Sequence, residues 1–265
     1  MPKVSVVMSV YNGEKYLAEA IESILNQTFR DFEFIIIDDA SVDNSYKILE
    51  EYKKKDERII LLKNEKNLGL TKSLNIGIKK AQGEYIARMD ADDISLKDRL
   101  EKQLEEIGKD SKIGVVGSNV EIIDFKGKKI KDVFIENPNE KIFDRNCLVH
   151  GSLFFDKKIF TEVGLYNEDF RYAQDYEFLL RIRKKFDLVN ISEILYKLRF
   201  SSNRLSTKKV FAQIYFTSLA KFNFKKENRG IIYKKIGLVW ENIYTFIFIY
   251  KLGLGELLRK FKIIS

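Results

Sequence analysis

Residues 3–93 alternate between two apolar patterns, and that alternation limits the folds open to the chain more than any other feature. "KVSVVMSV", "FEFIIID", "RIILLKN" and "EYIARMD" are continuous runs rich in β-branched residues, as expected of strands covered on both faces. Between them, "GEKYLAEAIESILNQT" sets Leu17, Ile21, Ile24 and Leu25 at helical spacing. "SVDNSYKILEEYKKK" predicts a second helix capped by Asp43 or Ser41, and "GLTKSLNIGIKKA" a third. Strand–helix alternation of this kind predicts an α/β fold, a parallel sheet with right-handed crossovers. After Asp93 the pattern changes. "LKDRLEKQLEEIGKD" and "DYEFLLRIRKKF" read as helices, "IGVVGSNVEIID" as a strand or pair of strands, "FKGKKIKDVF" as a hairpin and "DLVNISEILYKLR" as a late strand.

In open sheets of this type, ligands lie beyond the carboxyl ends of the strands. Three strand ends carry polar residues: Ser9, Tyr11 and Asn12 after the first, Asp38 and Asp39 after the second, Asp90, Asp92 and Asp93 after the fourth. Parallel strands would open all three on one edge. The "DADD" cluster is the sharpest of these signals. Three carboxylates in four positions repel one another unless a cation neutralises them. Hard oxygen ligands suit Mg2+ or Mn2+, which take one or two carboxylates and complete their shell with water and phosphate oxygens. A solvated loop is the plainer reading, with Asp93 or Ser95 capping the helix expected from Leu96.

Other candidates are weaker alone. "NEKNLGLTKSLN" places Asn67, Gly69, Lys72, Ser73 and Asn75 around a helix start, where an anion is favoured and Lys72 adds charge. Asp175 opens an amphipathic helix, as a partner of its dipole or as a general base. His150 is the only histidine, set between apolar runs in "CLVHGSLFF". Neither GxGxxG nor GxxxxGK[ST] occurs, so dinucleotide and P-loop readings lack their fingerprints.

The bulk of the chain fits a soluble globular protein of 265 residues with one cysteine, Cys147, which excludes a disulfide framework and fits a reducing cytoplasm. No run of about 18 apolar residues suggests a membrane span. The net charge of +8 is uneven: from Ser206 onward 12 Lys/Arg stand against 3 Glu, and the same segment holds 12 of the 34 aromatic residues. Trp240, Tyr244, Phe246, Phe248 and Tyr250 mix there with Lys and Arg. One reading is an interfacial segment on an anionic membrane, at the inner face of the plasma membrane; the other is a helix pair packed on the body.

Six segments occur in a specific order: "KVSVVMSVYNGEKYLAEAIESILNQTF", "EFIIIDDASVDNS", "NEKNLGLTKSLNIGI", "GEYIARMDADD", "HGSLFF" and "VGLYNEDFRYAQDYEFLLRI". Over residues 3–200 the chain thereby resembles family 2 glycosyltransferases, inverting enzymes of GT-A-type fold with a DXD motif. The resemblance implies a GT-A-type, Rossmann-like, mostly parallel sheet flanked by helices, with a nucleotide-sugar-binding half over residues 1–100 and an acceptor-binding half over 101–205. The basic, aromatic tail over 206–265, read as helical from its composition, lies outside the resemblance. Carried over residue by residue, Ser9 and Tyr11 would line the nucleotide and Asp39 would read uracil. Asn67 and Lys72 would approach the base or diphosphate. Asp90 would lie near the ribose and Asp92 on a Mg2+ or Mn2+ ion. Asp93 and His150 would face the donor sugar or acceptor, and Asp175 would be the base, with Gln174 where the family's motif has Glu. The implied reaction moves a sugar from a nucleotide diphosphate sugar, UDP-linked for preference, to a glycan or lipid-linked saccharide in bacterial-type surface polysaccharide synthesis. A nucleotide-sugar-binding homologue without transferase activity is the alternative. A single-stranded nucleic-acid binder is disfavoured, because acidic clusters at the sheet edge repel phosphates.

Overall fold

The structure is a computed structural model and describes residues 1–200 and 210–228. Four parallel strands form the half of the sheet that the sequence patterns anticipate: β3 (Ile59–Lys63), β2 (Phe32–Asp38), β1 (Val4–Val10) and β4 (Tyr85–Asp90), in that spatial order. The crossovers are α1 (Leu17–Leu25), α2 (Ser45–Lys55) and α3 (Leu70–Lys80). Burial on both faces explains the unbroken apolar runs. Successive side chains of a strand point to opposite faces. Val7, Ile35 and Ile37 pack with Leu74 and Ile78 of α3, whereas Val6, Met8, Phe34 and Ile36 pack with Leu17, Ile21 and Ile24 of α1 and Leu49 of α2.

Beyond β4 the sheet becomes mixed. β8 (Phe154–Asp156) is antiparallel to β4, and β6 (Ile113–Ile123) is antiparallel to β8. Two reversals restore the direction of β4. β9 (Asp187–Arg199) runs parallel to β6, β7 (Lys129–Val133) pairs with β6, and β5 (Ile94–Ser95) is antiparallel to β9. The carboxyl ends of β1, β2, β4, β6 and β9 therefore share one edge. The remaining helices are α4 (Arg99–Ile107), α5 (Pro138–Lys141), α6 (Lys158–Glu162), α7 (Gln174–Ile182) and α8 (Val210–Asn228), with a 3-10 turn at His150–Ser152. Leu100 and Ile107 of α4 join the α1 face, and Phe178, Leu179 and Ile182 of α7 join the α3 face.

Several local expectations are corrected. Of the two readings of the segment from Ile113, a strand or a pair, the structure has the single strand, Ile113–Ile123, and the caps expected of two helices differ. Neither Ser41 nor Asp43 caps α2; Asn44 stands at that position without a side-chain cap bond, while Asp43 accepts the amides of Ser45 and Glu14. Neither Asp93 nor Ser95 caps the next helix. Residues 94–95 form β5, and α4 begins only at Arg99, after Asp98. The reason is that β9 offers Ile94 and Ser95 a strand partner far away in sequence. Of the tail, α8 lies on the body: Phe216 meets Phe170 at 5.7 Å and Tyr172 at 5.8 Å, and Ala220 is buried. Trp240, Tyr244, Phe246, Phe248 and Tyr250 lie outside the described residues.

Polar bonds tie the layers together at buried points. Asn75 of α3 donates to the Tyr166 carbonyl at 3.0 Å and to Glu168 at 3.0 Å, and accepts the Tyr166 amide at 3.1 Å. Thr71 donates to the Phe170 carbonyl at 3.3 Å. Helix α3 is thus fastened to the segment that leads into α7. At the opposite edge of the sheet, the Ser5 hydroxyl donates to Glu33 and accepts the Gly83 amide at 2.8 Å, and Glu33 also accepts the Gln82 amide.

Gly83 is required by that close approach. A Cβ there would lie 2.6 Å from the Ser5 amide nitrogen and 2.7 Å from the Val4 carbonyl carbon, atoms of strand backbone that cannot rotate away. Gly83→Ala is expected to lower the unfolding free energy by about 1–3 kcal/mol, the usual cost of overpacking. Urea denaturation checks this. An unchanged midpoint would show that β1 yields at this point.

Candidate active site

The shared edge is built from loops that the strands deliver side by side. Ser9 sits in register between Ile37 of β2 and Asp90 of β4. The loops after β1 and β2 are zipped to each other. Asn12 accepts the Val42 amide at 2.9 Å, Ser41 accepts the Asn12 amide at 3.1 Å, and Ser45 accepts the Gly13 amide at 2.8 Å. Asn12 and Ala40 hold positive φ angles of 52° and 59°, which turn both loops sharply off the sheet. Tyr11 stands exposed at the rim.

Asp39 lies at the base of this rim, buried, with both oxygens engaged. Oδ1 accepts from Asn64 Nδ2 at 2.7 Å and from the Leu68 amide at 2.8 Å; Oδ2 accepts the Gly69 amide at 2.8 Å. A buried carboxylate must be satisfied, and here it is satisfied by the loop entering α3. Asp39 therefore positions that loop in this structure. Asn67 and Lys72 are exposed on the same loop and first helical turn.

The acidic cluster after β4 has three unlike members. Asp90 Oδ1 accepts from Arg88 Nη2 at 2.6 Å, and its amide donates to the Tyr196 hydroxyl at 3.3 Å. Asp93 is buried, accepting from the Tyr196 hydroxyl at 3.0 Å and from the Arg199 amide at 2.8 Å. Asp92 is half-buried, and its carbonyl accepts from Arg199 Nε at 2.9 Å. The repulsion anticipated from three neighbouring aspartates is relieved in part by the chain itself, through Arg88, Tyr196 and Arg199. Burial disfavours the Arg88 charge, but Asp90, with Tyr166 and Tyr196, more than offsets this and raises its pKa. Arg99, also buried, donates to the Arg88 carbonyl at 3.0 Å and the Gly151 carbonyl at 3.1 Å; burial brings its pKa down to about 10.

His150 connects this cluster to Asp175. Its Nε2 is 2.9 Å from the Tyr166 hydroxyl, and it lies within the electrostatic reach of Arg88, Asp175 and Asp90. Burial, reinforced by Arg88, pushes the imidazole pKa down to about 4, so the ring is neutral at ordinary pH. Asp175, in the first turn of α7, accepts from Asn146 Nδ2 at 2.7 Å through Oδ2. Gly151, next to His150, is packed so closely that a Cβ would lie 2.7 Å from Asp90 Oδ2 and closer still to the Tyr196 hydroxyl. The structure thus brings Ser9, Asp90, Asp92, Asp93, His150 and Asp175 to one edge. Sequence reasoning missed Arg88, Asn146, Tyr166, Tyr196 and Arg199. Arg88 had a signal, a cation inside an otherwise apolar strand run; the others are placed by tertiary contacts alone.

Among the described residues, no three His, Cys, Asp or Glu side chains form a ready-made metal cage. That donor set suits a hard divalent ion held by one or two carboxylates and completed by phosphate oxygens, and it does not suit a zinc-type site. Asp90 accepts from Arg88, and Asp93 from Tyr196 and Arg199, so these carboxylates also serve contacts within the chain.

Comparison with known proteins identifies the family. Residues 5–161 match the family described as glycosyl transferase family 2. An uncharacterized glycosyltransferase of Methanocaldococcus jannaschii is 39% identical over 243 residues, covering 88% of this chain and 83% of the relative. One of Haemophilus influenzae is 36% identical over 251 residues, covering 89% and 76%. Among solved structures, S. aureus TarS in complex with UDP-GlcNAc superposes with a TM-score of 0.67 at 20% identity, covering 83% of this chain and 66% of TarS 1–349. The mannosyltransferase PcManGT of Pyrobaculum calidifontis, in complex with GDP-Man and Mn2+, gives a TM-score of 0.67 at 16% identity, covering 92% and 70%. The chain spans just under two thirds of that TarS structure. These structural likenesses establish the GT-A fold, and the family match over more than half of the sequence establishes the rest: the chain belongs to glycosyl transferase family 2.

Proposed function

We propose that this glycosyltransferase moves a sugar from a UDP-linked donor to a glycan or lipid-linked saccharide with inversion, in the synthesis of a bacterial-type surface polysaccharide. The observation that carries the reading is the convergence of the Asp90–Asp92 loop and Asp175 on one sheet edge, linked through His150. In support, the structural neighbours include complexes with UDP-GlcNAc and with GDP-Man and Mn2+. Residues 1–100 would bind the donor, with Ser9, Tyr11 and the Asp39-anchored loop carrying Asn67 and Lys72 around the nucleotide. Residues 101–205 would bind the acceptor.

In the transfer step, an acceptor hydroxyl attacks the anomeric carbon from the face opposite the nucleoside diphosphate. Its proton passes to Asp175 as the carbon–oxygen bond to the diphosphate breaks. Asn146, bonded to Oδ2, orients the carboxylate, leaving Oδ1 to meet the hydroxyl. Neutral His150 can hydrogen-bond a sugar hydroxyl without adding a charge beside Arg88. A Mg2+ or Mn2+ ion bound with the donor at Asp92 would supply charge neutralisation for the departing diphosphate. Asp93 is assigned to positioning: its carboxylate is committed to Tyr196 and Arg199, so it shapes the loop that would face the donor sugar.

Hydrolysis of a panel of UDP-, dTDP- and GDP-sugars, with and without Mn2+, tests the donor assignment. UDP-sugars should be turned over only with metal, and no turnover of any donor would reject the reading. Asp175→Asn is expected to reduce transfer by about 10²- to 10⁴-fold, the range of general-base catalysis, with donor affinity unchanged in calorimetry. Transfer at the wild-type rate would remove Asp175 from the role. Asp92→Ala should abolish the Mn2+ dependence of UDP binding while thermal unfolding without ligand stays within a few degrees of wild type. UDP affinity that still rises with Mn2+ would assign the ion to other residues.

A further inference from the structure

The tip of the β6–β7 hairpin carries a surface feature that sugar transfer leaves unexplained. Residues 125–131, "FKGKKIK", are exposed without interruption. Phe125 is 56% and Ile130 53% exposed, with Phe134 at 67% just beyond and Phe200 at 51% beside the hairpin root, where its amide donates to the Ile123 carbonyl at 2.7 Å. Four lysines alternate with these apolar side chains, and Lys15 adds a fifth cation 5.8 Å from the Phe125 ring centre. Lys129 is paired with Asp132 at 2.7 Å; among the described residues no ion pair engages Lys126, Lys128 or Lys131.

The tip is rigidly built. Asp124 accepts the Lys126 and Lys128 amides at 2.8 and 2.9 Å, and Gly127 takes a φ of 82°. It also projects from the edge that holds the candidate active site, because β6 runs in the direction of β4. A single side chain joins the two: Arg199 donates to the Asp124 carbonyl at 3.3 Å and to the Asp92 carbonyl at 2.9 Å.

We propose that this hairpin tip docks the protein on an anionic lipid bilayer, with the donor edge turned toward the membrane. Apolar side chains interleaved with lysines suit that surface: the former enter the headgroup layer while the latter are attracted by anionic lipid. The basic, aromatic sequence after Ser206 provides a second attachment, and peripheral binding is stable when two weak signals combine. A single-stranded nucleic acid fits less well. Glu14, Glu19 and Asp92 stand on the edge that a strand would have to follow, and their carboxylates repel its phosphates. Docking itself is independent of the reaction proposed above; the orientation of a lipid-linked acceptor rests on it.

The test is sedimentation of the full chain with vesicles of phosphatidylcholine alone or mixed with phosphatidylglycerol. Binding should require phosphatidylglycerol and weaken as salt is raised. Each lysine near such a surface contributes roughly fivefold to partitioning, so K126Q/K128Q/K131Q should bind roughly a hundredfold more weakly, whereas K126R/K128R/K131R should bind as wild type does. F125S/I130S should also weaken binding. Donor hydrolysis in solution should be unchanged in all three variants. Wild-type binding by the glutamine variant, no binding of mixed vesicles by the wild type, or retention of a single-stranded oligonucleotide in place of vesicles would each overturn the proposal. Vesicle binding together with no hydrolysis of any nucleotide sugar would leave the docking standing and reject the transferase reading instead.

Discussion

Arg199 holds three segments in place with one guanidinium and one amide. The amide fixes Asp93, Nε the Asp92 carbonyl, Nη1 the turn at Asp124, and Nη2 the Glu19 carboxylate of α1. The ring of Tyr16 lies 4.3 Å from its guanidinium carbon, so the cation is covered as well as bonded. Arginine suits this place because its planar fork donates in several fixed directions at once and stays charged when buried. The loop after β4 is only a short bridge from strand to β5. Without such a clamp its carboxylates would have no defined spacing, and any ion or phosphate held there would have no fixed seat.

The charges beneath that loop follow the same logic. Arg88 and Arg99 are buried in a region that also holds Asp90, Asp93, Tyr166 and Tyr196. Isolated, none of these ions would be tolerated inside a protein. Together they form a connected network in which breaking a pair strands its partner, at a typical cost of about 3–5 kcal/mol. Cations thus lie just below the surface of this edge, and carboxylates are spaced along it. His150, held neutral by burial and Arg88, adds no charge of its own to this edge. The fastening of α3 to the segment before α7 through Asn75 and Thr71 keeps the helix that carries Asp175 in step with the loop that Asp39 anchors.

Much of this was legible in the sequence, and the reasons are specific. β1 to β4 are buried on both faces, so each wrote an apolar run that nothing else resembles. Their common direction then put the ends carrying Ser9, Asp39 and Asp90 on one edge. β8 and β5 were not legible because three and two residues carry no periodicity, and their pairing with β4 and β9 is a matter of distant partners. The same distance hid the roles within "DADD". Asp93 looks like a helix cap until β9 brings Tyr196 and Arg199 to it, and Asp39 looks solvent-facing until the Asn64–Gly69 loop closes over it. Asn146 has no sequence neighbour that betrays it; only the fold sets it beside Asp175.

The separation of Arg199 from the loop it clamps has a consequence in time. The Arg199 amide reaches Asp93 across 106 positions of chain. During synthesis, at about 5–20 residues per second, the strand–helix half from β1 to β4 is complete roughly five to twenty seconds before its clamp leaves the ribosome. Through that interval the nascent half has its parallel strands and its acidic loop, but neither the later residues that complete both cores nor the residue that gives the loop its shape. Competence therefore arrives late and all at once, when β9 slides in beside β6, rather than accumulating as the domain grows.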